Sequence, residues 1–398
     1  MSDVLPLSLR PNLEPYKKLA QDLEDACKAG DCDKIRQWAA RFVETLAPSA
    51  IEPQEAERIE RRWHKFNETN ERASRCALAG VRLFIAREHG FISWPRFARH
   101  VQAMARPNSP ISMFEAAADA IIHGDTARLQ KLLSDRPKLA QQLSTRDHRS
   151  TLLHYVSANG VEDFRQKTPT NIVEITKILL DAGSDVNAES DAYGGGCTAL
   201  GLVATSVHPE RSGAQIALLQ TLLDRGSTFH QPSTGGHGHS IIGACLANGQ
   251  PKAAEFFANL GAPLDLEGAS ALGRLDVVKS YFDASGDLRP QATWKQLESA
   301  FLYACGYGSA EVAGYLLERG IDPGLRNAEG RTGLHWAAYG AHVDVVKLLL
   351  HRGAPVHAQD ERFQATPLDV ELWERDHSSD TAKRERCHEV VALLQRIN

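Results

Sequence analysis

Between Asn327 and Ala358 apolar residues return at helical spacing in two short runs. Leu334 with Ala337 and Ala338 forms the first, and Val345, Val346 and Leu348 to Leu350 form the second. The pattern predicts helices over about 333–339 and 343–351, separated by Gly340-Ala341. Glu329-Gly330-Arg331-Thr332 reads as a tight turn before them. Gly353 closes the second helix, because glycine enters the left-handed cap without a Cβ penalty. Helices this short are unstable alone in water. Each must bury a face against a neighbour, so the unit makes sense in a stack.

Related patterns recur along the chain. A degenerate unit spans about 112–143. A second opens at Thr151-Leu152-Leu153-His154 and carries an insertion over 161–173. A third begins Thr198-Ala199-Leu200 and has an insertion over 205–216. A fourth starts at Ser240. The fifth, LEGASALGRLDVVKSYFD, is truncated and shows no turn-and-cap signature, which predicts a weak joint. The sixth contains SAFLYACGYGSAEVAGYLLERG, and the eighth opens at Thr366-Pro367-Leu368-Asp369. Residues 1–108 read as a separate helical leader, with a long polar helix from about Glu55 to Ala79 that Gly80 ends. Gly90 caps a further helix and Pro95 opens another. Pro107-Asn108-Ser109-Pro110 marks the start of an array of about eight units over 109–398.

These motifs resemble the ankyrin repeat. Thr332-Gly333-Leu334-His335 stands where that family has Thr-Pro-Leu-His, and Gly353-Ala354 matches the start of its loop. RPNLEPYKKLAQDL and AREHGFISWPRFARHV resemble a leader segment of bacterial ankyrin-repeat proteins. The resemblance implies an all-α solenoid, and a scaffold does not name its partner. It also implies that His335 and His154 tie their own turns to the adjacent hairpin and that His342 is structural. Binding is then expected on a concave face of hairpin tips and first helices. Aligned on their helix breaks, Tyr307 and Tyr339 fall at equivalent positions beside Asn327, Glu329, Arg331, Glu361, Arg362 and Phe363. Tyrosines with a charged rim have the composition of an interface hot spot. The other reading is that both rings only cover the next repeat.

Composition adds limits. A net charge of −5 is too weak a bias to imply nucleic acid or a membrane surface. Residues 51–106 are locally basic, and Trp63, Phe66, Phe84, Phe91 and Trp94 are interleaved there. Alternating charge signs predict solvated helix faces, and helical spacing of the rings predicts core. No apolar run reaches membrane-spanning length, and the first residues lack a signal-peptide core. Seven scattered cysteines read as reduced core thiols, which predicts a cytoplasmic protein.

His230, His237 and His239 form a histidine-rich loop, but their spacing matches no closed zinc pattern, so no metal is expected. Tyr193-Gly194-Gly195-Gly196 reads as a hairpin turn, because the phosphate-cradle context is missing. The expectation is a monomeric, non-catalytic protein without cofactor that binds another protein. The alternative is an enzyme or small-molecule sensor that uses the insertions of repeats two and three, with the histidine loop, as a pocket.

Overall fold

A computed structural model describes residues 4–7, 11–46, 54–69, 76–229, 240–377 and 380–396. It forms two compact units, residues 1–238 and 239–398. The histidine loop at His230, His237 and His239 lies outside the described residues.

In the first unit the leader contributes α1 (Leu13–Lys28), α2 (Cys32–Val43), α3 (Glu55–Thr69), α4 (Leu78–Glu88) and α5 (Trp94–Met104). Asn12 and Asp31 cap α1 and α2 through their side chains. The core holds Trp38, Phe42, Trp63, Phe84, Phe91 and Phe97, all nearly inaccessible, and Trp38 Nε1 donates to the Leu19 carbonyl at 2.8 Å. Two expectations need correction. The polar helix predicted to run to Ala79 ends at Thr69, and Gly80 lies inside α4. Cys27 and Cys76 are not reduced thiols but a disulfide with Cα atoms 5.4 Å apart. Cys245, Cys305 and Cys387 are buried and free, whereas Cys32 is exposed and Cys197 half-buried.

The array begins in the same unit with α6 (Pro110–His123) and α7 (Thr126–Asp135). In the second repeat the first helix is replaced by a 3-10 turn over Leu152–Ser157, followed by α8 (Ile172–Asp181). A two-residue ribbon, β1 (Glu189–Ser190) against β2 (Cys197–Thr198), forms the next hairpin around Tyr193-Gly194-Gly195-Gly196. Helices α9 (Ala199–Ala204), α10 (Val207–Arg211) and α11 (Gln215–Asp224) complete the third repeat, and its insertion supplies α10.

The insertion over 161–173 packs inward. Its Arg165 donates to Glu115 Oε2 and to Asp119 Oδ1, both at 2.7 Å, and Arg146 pairs with its Glu162. Arg146 also donates to Glu115 at 3.3 Å and to the His89 carbonyl at 2.7 Å. The insertion, the first repeat and the leader therefore share one buried ion network. Burial pushes the Glu115 carboxyl up, but Arg165 and Arg146 outweigh it and hold it at about 2. Breaking such a network leaves an uncompensated interior charge, which costs about 3–5 kcal/mol.

The second unit contains α12 (Ile241–Ala247), α13 (Pro251–Asn259), α14 (Leu266–Ala271), α15 (Leu275–Ser280), α16 (Trp294–Gly306) and α17 (Ala310–Glu318). It ends with α18 (Gly333–Tyr339), α19 (Val343–His351), α20 (Pro367–His377) and α21 (Thr381–Gln395). The fifth repeat, predicted to lack a cap and hairpin, has both in reduced form. Asp265 caps α14 by accepting from Gly268 N at 2.7 Å, and Phe282 bridges Leu288 antiparallel. One core runs from α14 to α21 and includes Leu266, Phe301, Leu334, Val346, Leu349, Val390 and Leu394.

Candidate protein-binding groove

Repeats seven and eight position the groove through backbone bonds around one hairpin. Asn327 and Arg331 close its turn N–H to carbonyl at 2.9 Å, and Arg326 bridges Thr332. Asn327 Oδ1 also accepts from Glu329 N and Arg331 N, at 3.0 and 2.9 Å. Thr332 then caps α18. Its N–H donates to His335 Nδ1 at 3.1 Å, so the ring proton is on Nε2, which donates to the Ala365 carbonyl at 3.1 Å. Glu361 N donates to the Glu329 carbonyl at 2.9 Å, which fixes the hairpin tip of repeat eight against that of repeat seven. Asp360 Oδ1 builds the second tip by accepting from Arg362 N and Phe363 N, at 2.9 and 2.6 Å.

Between these tips and α20 lies a groove of about 690 Å³, floored by Trp336, Ala365 and Val370 and walled by Tyr339, Phe363 and Trp373. Arg331, His335, Asp360 and Asp369 complete its lining. The walls face solvent: Tyr339 is 48% exposed, Trp373 56% and Phe363 63%. Leaving three large rings in water is unfavourable at about 25 cal/mol per Å² of apolar surface, so the wall is suited to being covered. Each ring carries a stacked partner. Lys383 Nζ lies 5.0 Å over Tyr339, Arg362 5.0 Å over Phe363 and Arg331 5.5 Å over Trp336, while His377 stacks on Trp373 at 4.5 Å. These contacts hold the rings in place before anything binds.

The structure brings together three of the sequence-predicted site residues, Arg331, Tyr339 and Phe363. Glu329, Glu361 and Arg362 are exposed at the rim. Asn327 is occupied in building its own turn. Tyr307 does not line this groove: its hydroxyl donates to the Leu246 carbonyl and its ring stacks on Tyr303. Burial raises that phenol to about 12. Tyr307 and Tyr339 are therefore not a matched pair. Trp336, Val370 and Trp373 escaped the sequence reading. A signal was present, because Trp336 with Tyr339 and Val370 with Trp373 are i, i+3 pairs that share a helix face.

Residues 266–360, which include α18 and the hairpin before it, match the family model described as ankyrin repeats in three copies. The chain carries ankyrin repeats. Over 54 residues it is 44% identical to ankyrin repeat domain-containing protein 46 of Rattus norvegicus and of Mus musculus. That stretch is 14% of this chain and 24% of each relative, so the chain spans about a quarter of the length of the curated relatives it matches. The ankyrin stack supplies the frame in which hairpin tips and first helices meet. Among the described residues, no helix is long and apolar enough to cross a membrane, and no three His, Cys, Asp or Glu side chains are grouped to hold a metal ion.

Proposed function

We propose that the chain is a non-catalytic interaction scaffold that binds a protein partner through the concave face of its ankyrin stack, centred on the groove of repeats seven and eight. The observation that carries this reading is the wall of Tyr339, Phe363 and Trp373, exposed yet held by stacked partners and rimmed by Glu329, Glu361 and Arg362. Rigid aromatic anchors with a polar rim are the composition of an interface centre. The pocket alternative finds less support, because Glu162 and Arg165 of the 161–173 insertion fill interior space with an ion network. The scaffold acts as a cytoplasmic monomer. An intact Cys27–Cys76 bond in protein isolated from its host would instead assign it to an oxidising compartment.

A photo-crosslinking residue at Phe363 identifies the partner, whose affinity is then measured for Trp373→Ala and Phe363→Ala. Each should lose about tenfold or more, roughly 1.4 kcal/mol, with unchanged helicity and melting temperature. Full affinity in both variants would end the groove reading.

A further inference from the structure

The first unit carries a second feature, a basic pocket on the seam between α5 and the loop over 144–149. Its volume is about 210 Å³, and its lining is Arg96, Arg99, His100, Ile111, Ser144, Thr145 and Arg149, with no carboxylate. Most other leader arginines have partners. Arg41 pairs with Asp22, and Arg62 with Glu55 and Glu88, while Arg82 lies over Trp94 and Arg87 over Phe66. Arg96 and Arg99 make no ion pair within 4.0 Å among the described residues. Arg149 has only Asp191, at 3.8 Å and exposed. Asp147, whose carboxyl feels the charge of Arg96, is engaged by Ile92 N at 2.9 Å.

Three arginines thus line one small space whose lining holds no carboxylate, the nearby Asp191 and Asp147 lying outside it, in a chain whose net charge is −5. Like charges gathered this way repel, and a bound anion relieves the repulsion. The floor is fixed in advance. Thr145 Oγ1 lies 2.7 Å from His100 Nδ1, and Ser144 N donates to the Ser150 carbonyl at 2.8 Å. Behind them, His100 abuts Glu115 of the buried ion network at 4.0 Å. A site whose walls are already ordered binds with less entropic cost.

We propose that this pocket binds a phosphate group, as the free anion or as an exposed phosphomonoester. Guanidinium forks match the oxygen spacing of phosphate, and several of them suit its double charge better than the single charge of a carboxylate. At about 30 Å³ per water the space holds about seven waters. That accommodates a phosphate group with part of its hydration, and is below the ~300 Å³ at which sites for whole small molecules begin. The site lies in the first unit, apart from the groove, so its failure leaves the scaffold reading intact.

Isothermal titration of the full chain with inorganic phosphate, at constant ionic strength in chloride, tests the proposal. Saturable one-to-one binding is expected, with Kd raised at least tenfold in Arg96→Gln and in Arg99→Gln and an unchanged ligand-free melting temperature. Arg128→Gln, an exposed arginine on α7, should bind as the wild type does. A second titration with O-phosphoserine distinguishes the sources: comparable affinity assigns a phosphomonoester, and binding of phosphate alone assigns the free anion. Unsaturable heats, unchanged affinity in Arg96→Gln and Arg99→Gln, or equal weakening by Arg128→Gln would overturn it.

Discussion

His335 Nε2 donates to the Ala365 carbonyl across 3.1 Å while its Nδ1 accepts from Thr332 N, so one imidazole joins the turn of repeat seven to the chain entering repeat eight. His154 makes the same pair of bonds with Thr151 and the Cys197 carbonyl. Replacing His335 by Leu leaves a buried N–H and a carbonyl unpaired, at about 1–3 kcal/mol. Urea denaturation at pH 7 should show that loss. The same change should weaken partner binding further, because Ala365 lies in the groove floor.

Two glycines in the left-handed region should respond differently to alanine. Gly353 has φ +77 and open space where a Cβ would go, so Gly353→Ala costs about 1 kcal/mol from backbone strain alone. Gly330 has φ +75, and a Cβ there would sit 2.9 Å from Glu361 Cγ and 3.1 Å from Glu361 N. Gly330→Ala should therefore cost about 2 kcal/mol or more, since it must also separate the two hairpin tips. Equal denaturation midpoints for the two variants would contradict this packing.

Acid should loosen the first unit before the usual carboxylate range is reached. Burial pushes His89 down to about 3 and both His100 and His154 to about 4, so all three are neutral in the folded chain. The unfolded chain takes up their protons first as pH falls below about 6.5. Each histidine then removes up to about 1.4 kcal/mol of stability per pH unit, until its own folded value is reached. Hydrogen exchange of α4 to α6 should accelerate between pH 6.5 and 4.5, and His100→Gln should flatten that dependence.

Glu371 predicts the opposite sign in the last repeat. It is fully buried, its carboxylate has no N–H or O–H donor among the described residues and only the weak thiol of Cys387 beside it, and burial raises it to about 7 against the smaller opposing effect of that thiol. A carboxyl with a raised folded-state value favours the fold at low pH, and that contribution is lost as pH rises through about 7. Glu371→Gln should thus be near neutral at pH 4.5 and stabilising by about 2 kcal/mol at pH 8. Thermal melts at the two pH values check it.

The sequence by itself determined what depends on neighbours a few residues away. The helix pairs follow from apolar residues at i, i+3 and i+4, and the tie that His335 makes within its own turn was implied by the resemblance of Thr332-Gly333-Leu334-His335 to the ankyrin motif. Even so, the left-handed residue at the break in repeat seven is Ala341, at φ +52, and not Gly340, because glycine permits that conformation without requiring it. What only the tertiary structure decided depends on residues far along the chain. Tyr307 and Tyr339 hold similar places in their units, yet Tyr307 reaches Leu246 across the truncated fifth repeat, while Tyr339 meets Lys383 and an open groove. Cys27 and Cys76 are 49 residues apart and scattered in spacing, but α1 and the turn before α4 bring them together. Glu162 and Arg165 read as polar loop residues until Glu115 and Arg146 are seen to face them. Local periodicity specifies which face of a helix is apolar; what that face or loop meets is settled only by chain-distant packing, where a buried charge or ring must find its partner.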